Sequence, residues 1–158
     1  MRNREVVAYK NRLDSLFDKI RAISESDASI VEMQAHWASY LCVLTSGFLE
    51  VAIRAIYGDY LQQKCRHRAV VALVQRRLAI HNPKMQKIIE LADAINPEWA
   101  TELRAKTDGE LKDAIDSIVA NRNSISHGQP AGMSYVRMKD YYEKVVKVIE
   151  LIEEQCTR

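Results

Sequence analysis

Toward the C-terminal end of the chain, Arg122, Asn123 and His127 bring together three side chains suited to handling a phosphodiester. A guanidinium is a permanent, planar donor fork that matches phosphate oxygens. An imidazole exchanges its proton near neutrality, so it can take or give one at cellular pH. The asparagine amide adds a neutral donor and acceptor, to orient the ring or hold a phosphate oxygen. These parts suit metal-free RNA cleavage, in which the ribose 2′-OH is deprotonated and attacks the adjacent phosphorus while Arg122 stabilises charge on the equatorial oxygens. DNA lacks that nucleophile and is expected to be inert.

One such histidine per chain leaves a gap, because in-line displacement wants a base on one side of phosphorus and an acid on the other. A two-fold dimer fills it. If two copies face each other through this segment, an isologous interface gathers both sets of Arg122, Asn123 and His127 in one groove. A homodimer acting on RNA is therefore the expected assembly. Neither a CxxC nor an HExxH spacing occurs in the chain, so no metal or other cofactor is expected.

The elements that must position these residues are helical. On a helix from about Gly109 to Ser126, Leu111, Ile115, Ile118, Val119 and Ile125 form the buried stripe, with Thr107-Asp108 expected to cap its start and Gly128 and Pro130 to end it. Arg122 lies four residues after Ile118 and three after Val119, where an apolar residue was due, so it points inward or toward a cleft. Asn123 and His127 fall on neighbouring rows of one face. Arg122 and His127, being about 140° apart at about 100° per residue, converge only if the last turn loosens or the arginine stem reaches around.

Upstream, apolar residues recur at helical steps from Arg4 to Ile23. A second helix, capped by Asp27 or Ser29, is expected to run to about Cys65, with a bend near Gly47 or a break at Gly58. Its middle, Trp37 to Tyr57, is apolar nearly all round, as a central helix requires. Arg68 to Ile80 reads as a third helix. Asn82-Pro83 opens a fourth that ends near Ile95, Asn96-Pro97 opens a short piece carrying Trp99 and Leu103, and a last helix from about Ser134 to Gln155 buries Met138, Tyr141, Val145, Val148, Ile149 and Ile152. The expected fold is all-α, an up-and-down bundle of about five to seven helices forming a single domain over residues 1–158.

Composition agrees. With 47% hydrophobic and 28% charged residues, and only five glycines and three prolines, the chain reads as an ordinary soluble helical protein rather than a turn-rich sandwich. A net charge of +2 is no general polyanion signature, so RNA binding must be argued locally. Cys42, Cys65 and Cys156 are odd in number and scattered, which fits reduced thiols and a cytoplasmic location. No apolar run reads as long and uninterrupted enough to span a bilayer, and no membrane partner is expected.

Arg122-Asn123-Ser124-Ile125-Ser126-His127 resembles the R-x4-6-H signature of HEPN domains, including the polar residue that often follows the arginine, and Gly128 fits too. His36-Trp37-Ala38-Ser39-Tyr40-Leu41, continuing through Thr45-Ser46-Gly47-Phe48-Leu49-Glu50, is similar to the second helix of the RiboL-PSP-HEPN branch. The resemblance implies a helical bundle that dimerises through the motif face. It also implies metal-independent endoribonuclease activity and a role as a toxin or defence effector, with an antitoxin or other regulatory protein as a further partner. Some relatives have lost catalysis and only bind RNA, nucleotides or proteins. The intact Arg-Asn-His set argues against that loss.

Blander roles compete for the same residues. Arg122 and His127 also suit a polar helix end, with Arg122 paired to a buried carboxylate and His127 favoured by the helix dipole. Glu50, inside the most apolar stretch, needs a partner, for which Arg122 and Arg54 are candidates. It and Ser126 are read as supporting residues, Glu50 as one that orients Arg122. His36, His67 and His81 are expected to cap helices or face solvent. Lys64, Arg66, His67, Arg68, Arg76 and Arg77 read as a solvated basic face, with guidance of RNA toward the cleft as a secondary reading.

Overall fold

The computed structural model describes residues 1–26, 31–65, 67–129 and 132–158. Seven helices occupy them: α1 (Arg4–Ser26), α2 (Val31–Lys64), α3 (Arg68–Leu78), α4 (Met85–Ile95), α5 (Pro97–Thr107), α6 (Glu110–Ser126) and α7 (Tyr135–Thr157). No strand occurs among the described residues. The all-α bundle expected from the apolar periodicity is what forms.

α2 is the axle, touching α1, α3, α6 and α7. Leu41, Leu49, Ile53 and Tyr57 on it are fully buried, as its nearly all-round apolar pattern demands. By length and composition this helix is apolar enough to cross a bilayer, which corrects the expectation that no such segment exists. Most of the stretch is buried by neighbouring helices, as the core helix of a bundle would be. The break offered at Gly58 is absent, and α2 runs unbroken through both glycines. At Gly47 the missing side chain makes room instead: a Cβ there would stand 3.1 Å from the Tyr9 hydroxyl, which donates to the Leu44 carbonyl. Asp27 and Ser29, the expected caps of α2, lie outside the described residues.

The other ends follow local chemistry. Asn3 caps α1 by accepting from the Val6 amide, and Ser134 caps α7 by accepting from Arg137. Asn96 caps α5, accepting from Glu98 at 2.9 Å with Pro97 at the first helical position, as expected. α3 stops at Leu78, two residues short of the expected Ile80. α7 buries Tyr142 rather than Tyr141 on its stripe, because the Tyr142 ring stacks on Phe17 of α1 at 4.7 Å and its hydroxyl reaches Asp14 at 2.6 Å.

Candidate active site

The motif helix α6 lies against α2 and α7. Ala114, Ile115, Ile118 and Val119 are buried, which sets the rotation of every later residue on the helix. Its start is not capped by Thr107-Asp108. Thr107 ends α5 with its hydroxyl donating to Leu103, and Gly109, at φ 82°, takes the cap position, where a left-handed backbone favours glycine. Lys144 of α7 ties the start down, meeting Glu110 at 3.1 Å and Asp140 at 2.9 Å. Hydrogen bonding first to Asp140 and then to Glu110 raises the lysine pKa above its ordinary value.

The last turn tightens rather than loosens, so within one chain Arg122 and His127 can converge only through the reach of the arginine stem. The His127 amide is shared between the carbonyls of Asn123 and Ser124, the Gly128 amide reaches Ile125, and the Gln129 amide reaches back to Ser124. With Gly128 at φ 77°, this is a Schellman ending with His127 on the cap. The hydroxyls of Ser124 and Ser126 donate to the carbonyls of Ala120 and Asn123, further securing the turn. Ser126 thus serves the backbone. Pro130, the other expected stop, lies outside the described residues.

Arg122 is half-buried, as its place on the apolar stripe requires, and among the described residues no carboxylate pairs with it. Asn123 and His127 are exposed. None of the three is sealed beneath packed helices. Three clefts, formed by α1 with α7, by α2 with α3 and α4, and by α2 with α5 and the end of α7, contain no residue of α6. Asn123 and His127 thus stand at the surface of the single chain, with Arg122 half-covered between them and the core.

Glu50 departs from its expected role. It accepts from the Asn82 amide at 2.7 Å and lies 3.5 Å from Nδ1 of His81, so its partners are in the connection between α3 and α4, not Arg122 or Arg54. The packing shows why. The Cys42 thiol donates to the Ile118 carbonyl at 3.5 Å, while Asp116 and Glu50 both reach the Asn82–Met85 segment, so α2 and α6 run antiparallel. Glu50 lies beyond that contact in one direction and Arg122 in the other, about 18 Å apart along the bundle at ~1.5 Å per residue. Cys42, beneath the motif helix, has its thiol pushed up to about 12 by burial, which leaves it inert.

Two positioning residues escaped the sequence reading. Asp116 accepts from the Met85 amide at 2.8 Å and so caps α4, whose own cap residue, Lys84, supplies no side-chain bond. The expected Asn82-Pro83 cap is displaced because Asn82, at φ 49°, turns its amide to Glu50. Asn121 donates to Ser117 and accepts from the Gly132 amide, fastening the loop after the motif back onto α6. The available signal was a short polar side chain inside a helix, where such residues are poor formers and usually bond something. Asp116→Ala is expected to cost about 1 kcal/mol through the lost cap of α4, read as a lower urea midpoint at unchanged slope. An unchanged midpoint would show that the carboxylate contributes nothing.

No cluster of three His, Cys, Asp or Glu residues spaced to hold a metal occurs among the described residues. Comparison with known families matches residues 7–158 to the model described as RiboL-PSP-HEPN. Comparison with curated proteins and with solved structures finds no match.

Proposed function

This chain belongs to the RiboL-PSP-HEPN family, and from that premise we propose that it is a metal-independent endoribonuclease whose active site is completed by a second copy of the chain. Arg122 carries the reading. A half-buried guanidinium with no carboxylate partner among the described residues, set in the apolar stripe of α6 beside exposed Asn123 and His127, is costly to the fold and useful to a phosphate. Its membership makes nuclease chemistry a family expectation; the residues make it specific.

In the proposed reaction the imidazole of one His127 takes the proton of the 2′-OH. The 2′ oxygen bonds to phosphorus as the bond to the 5′ oxygen breaks, and the imidazolium of the other copy protonates that leaving oxygen. The products are a 2′,3′-cyclic phosphate and a 5′-hydroxyl. Arg122 holds the non-bridging oxygens where charge accumulates, and Asn123 orients the phosphate or the ring. Growth restraint, as a toxin or defence effector held in check by an antitoxin or other regulator, is the role proposed for such cleavage in the cell.

Support for pairing comes from α2, whose N-terminal half runs beside the C-terminal half of α6. Met33, Tyr40 and Val43, spaced along one side of α2, are 45%, 46% and 40% exposed, an apolar surface a second copy would cover. The test combines molecular mass in solution with cleavage of a single-stranded RNA, with and without chelator, beside its 2′-deoxy analogue. A dimer, chelator-resistant cleavage, cyclic phosphate ends and an inert deoxy strand are expected. Tyr40→Glu should yield a folded monomer without cleavage. Activity from a strict monomer rules out the shared site; a stoichiometric complex with RNA or nucleotide and no cleavage replaces the nuclease by a silent binding module.

A further inference from the structure

At the other end of α2, the cleft formed with α3 and α4 has a volume of about 720 Å³. Leu61, Leu73, Val74, Leu78, Leu91 and Ile95 line it together with Arg77, Lys87 and Glu90. Lys87 is paired with Glu90 at 3.1 Å, which leaves Arg77 as the lining cation without a carboxylate partner among the described residues. α3 forms one wall, and it leaves large apolar side chains outside: Leu73 is 64% exposed and Val70, one turn earlier, 48%. The same helix carries Arg76 and Arg77, both exposed, and no acidic residue. Neither arginine is in an ion pair among the described residues.

We infer that this cleft receives an amphipathic helix of a partner protein, with leucine-like residues on the docked face and aspartate or glutamate along its flanks. The walls are the C-terminal half of α3, from Leu73 to Leu78, and most of α4, from Lys87 to Ile95, and a concave apolar trough between helices is the shape that takes the apolar face of another helix. Charge selects the flanks, because unpaired guanidinium groups at an apolar rim favour carboxylates and reject cations. A second copy of this chain would set the same basic rim against itself. A bilayer meets a flat or convex apolar face, not a trough. RNA bases stack on aromatic rings and guanidinium planes rather than on a leucine lining, and the groove floor at Leu61 lies on the order of 35 Å from Arg122 along the antiparallel helices, at ~1.5 Å per residue. Arg66 of the basic run lies outside the described residues, and Arg76 and Arg77 belong to the helix that walls the trough, not to the motif helix.

The test uses the intact protein and two synthetic helical peptides of about sixteen residues, sharing one leucine stripe, one flanked by glutamate and the other by lysine. Fluorescence anisotropy should give at least about tenfold tighter binding of the glutamate peptide, weakened about tenfold by Leu73→Glu and by Arg77→Glu. Leu73 is largely exposed, so its variant should fold, checked by circular dichroism and melting. Amide shifts on adding peptide should map to α3 and α4. Equal affinity for both peptides, no binding of the glutamate peptide at millimolar concentration, or shifts centred elsewhere overturns the inference. So does a single-stranded RNA, or an anionic lipid vesicle, that displaces the peptide through Arg76 and Arg77.

Discussion

His127→Ala is expected to lower RNA cleavage by about 10²- to 10⁴-fold, the range lost with a positioned proton-transfer group. Its stability should change by less than about 0.5 kcal/mol. The two expectations separate because the imidazole is exposed and, among the described residues, bonds nothing. What His127 gives the fold is its backbone, at φ −97°, which alanine adopts freely. Urea titration and cleavage of one RNA by the same preparation read both quantities. Expression of the chain should arrest growth and the variant should not. Cleavage within about threefold of the parent protein would remove the imidazole from the mechanism, and a large loss of stability would recast the residue as structural.

Arg122→Met should move activity and stability in opposite directions. Cleavage is expected to fall about 10²- to 10³-fold, as when a donor to developing charge is removed. Stability is expected to rise by about 1 kcal/mol, because an unpaired, half-buried charge gives way to an apolar chain of similar length beside Ile118 and Val119. If the dimer forms through this face, relief of repulsion between two guanidinium groups acts in the same direction. Arg122→Lys should keep the charge and lose the planar fork, recovering little activity. A strongly destabilised methionine variant would mean that the arginine holds the bundle together; a fully active one would mean that it never met the phosphate.

Periodicity made most of the fold legible. The apolar steps in α1, α6 and α7, and the nearly continuous apolar middle of α2, follow from which faces must leave water, and that demand is written residue by residue. Asn96-Pro97 was equally readable, since a side-chain cap and a fixed proline φ act within three residues. Asn82-Pro83 was not. The same local signal lost to Glu50, 32 residues away, which took the Asn82 amide, and to Asp116, 31 residues from Met85, which supplied the cap. Glycine was misleading at Gly58, where burial of α2 on its neighbours outweighs the local cost of an uncommitted backbone.

By itself, then, the order of residues determined the helices, the inward place of Arg122 on its stripe and the kinship of the whole chain, because each depends on spacing along one helix. Only the packed bundle decided that α2 and α6 run antiparallel, that Glu50 serves the α3–α4 connection far from Arg122, and that Arg77 of α3 borders an apolar trough at the opposite end. Those outcomes rest on which helices meet and in which direction, a balance of burial across the molecule that no local pattern encodes.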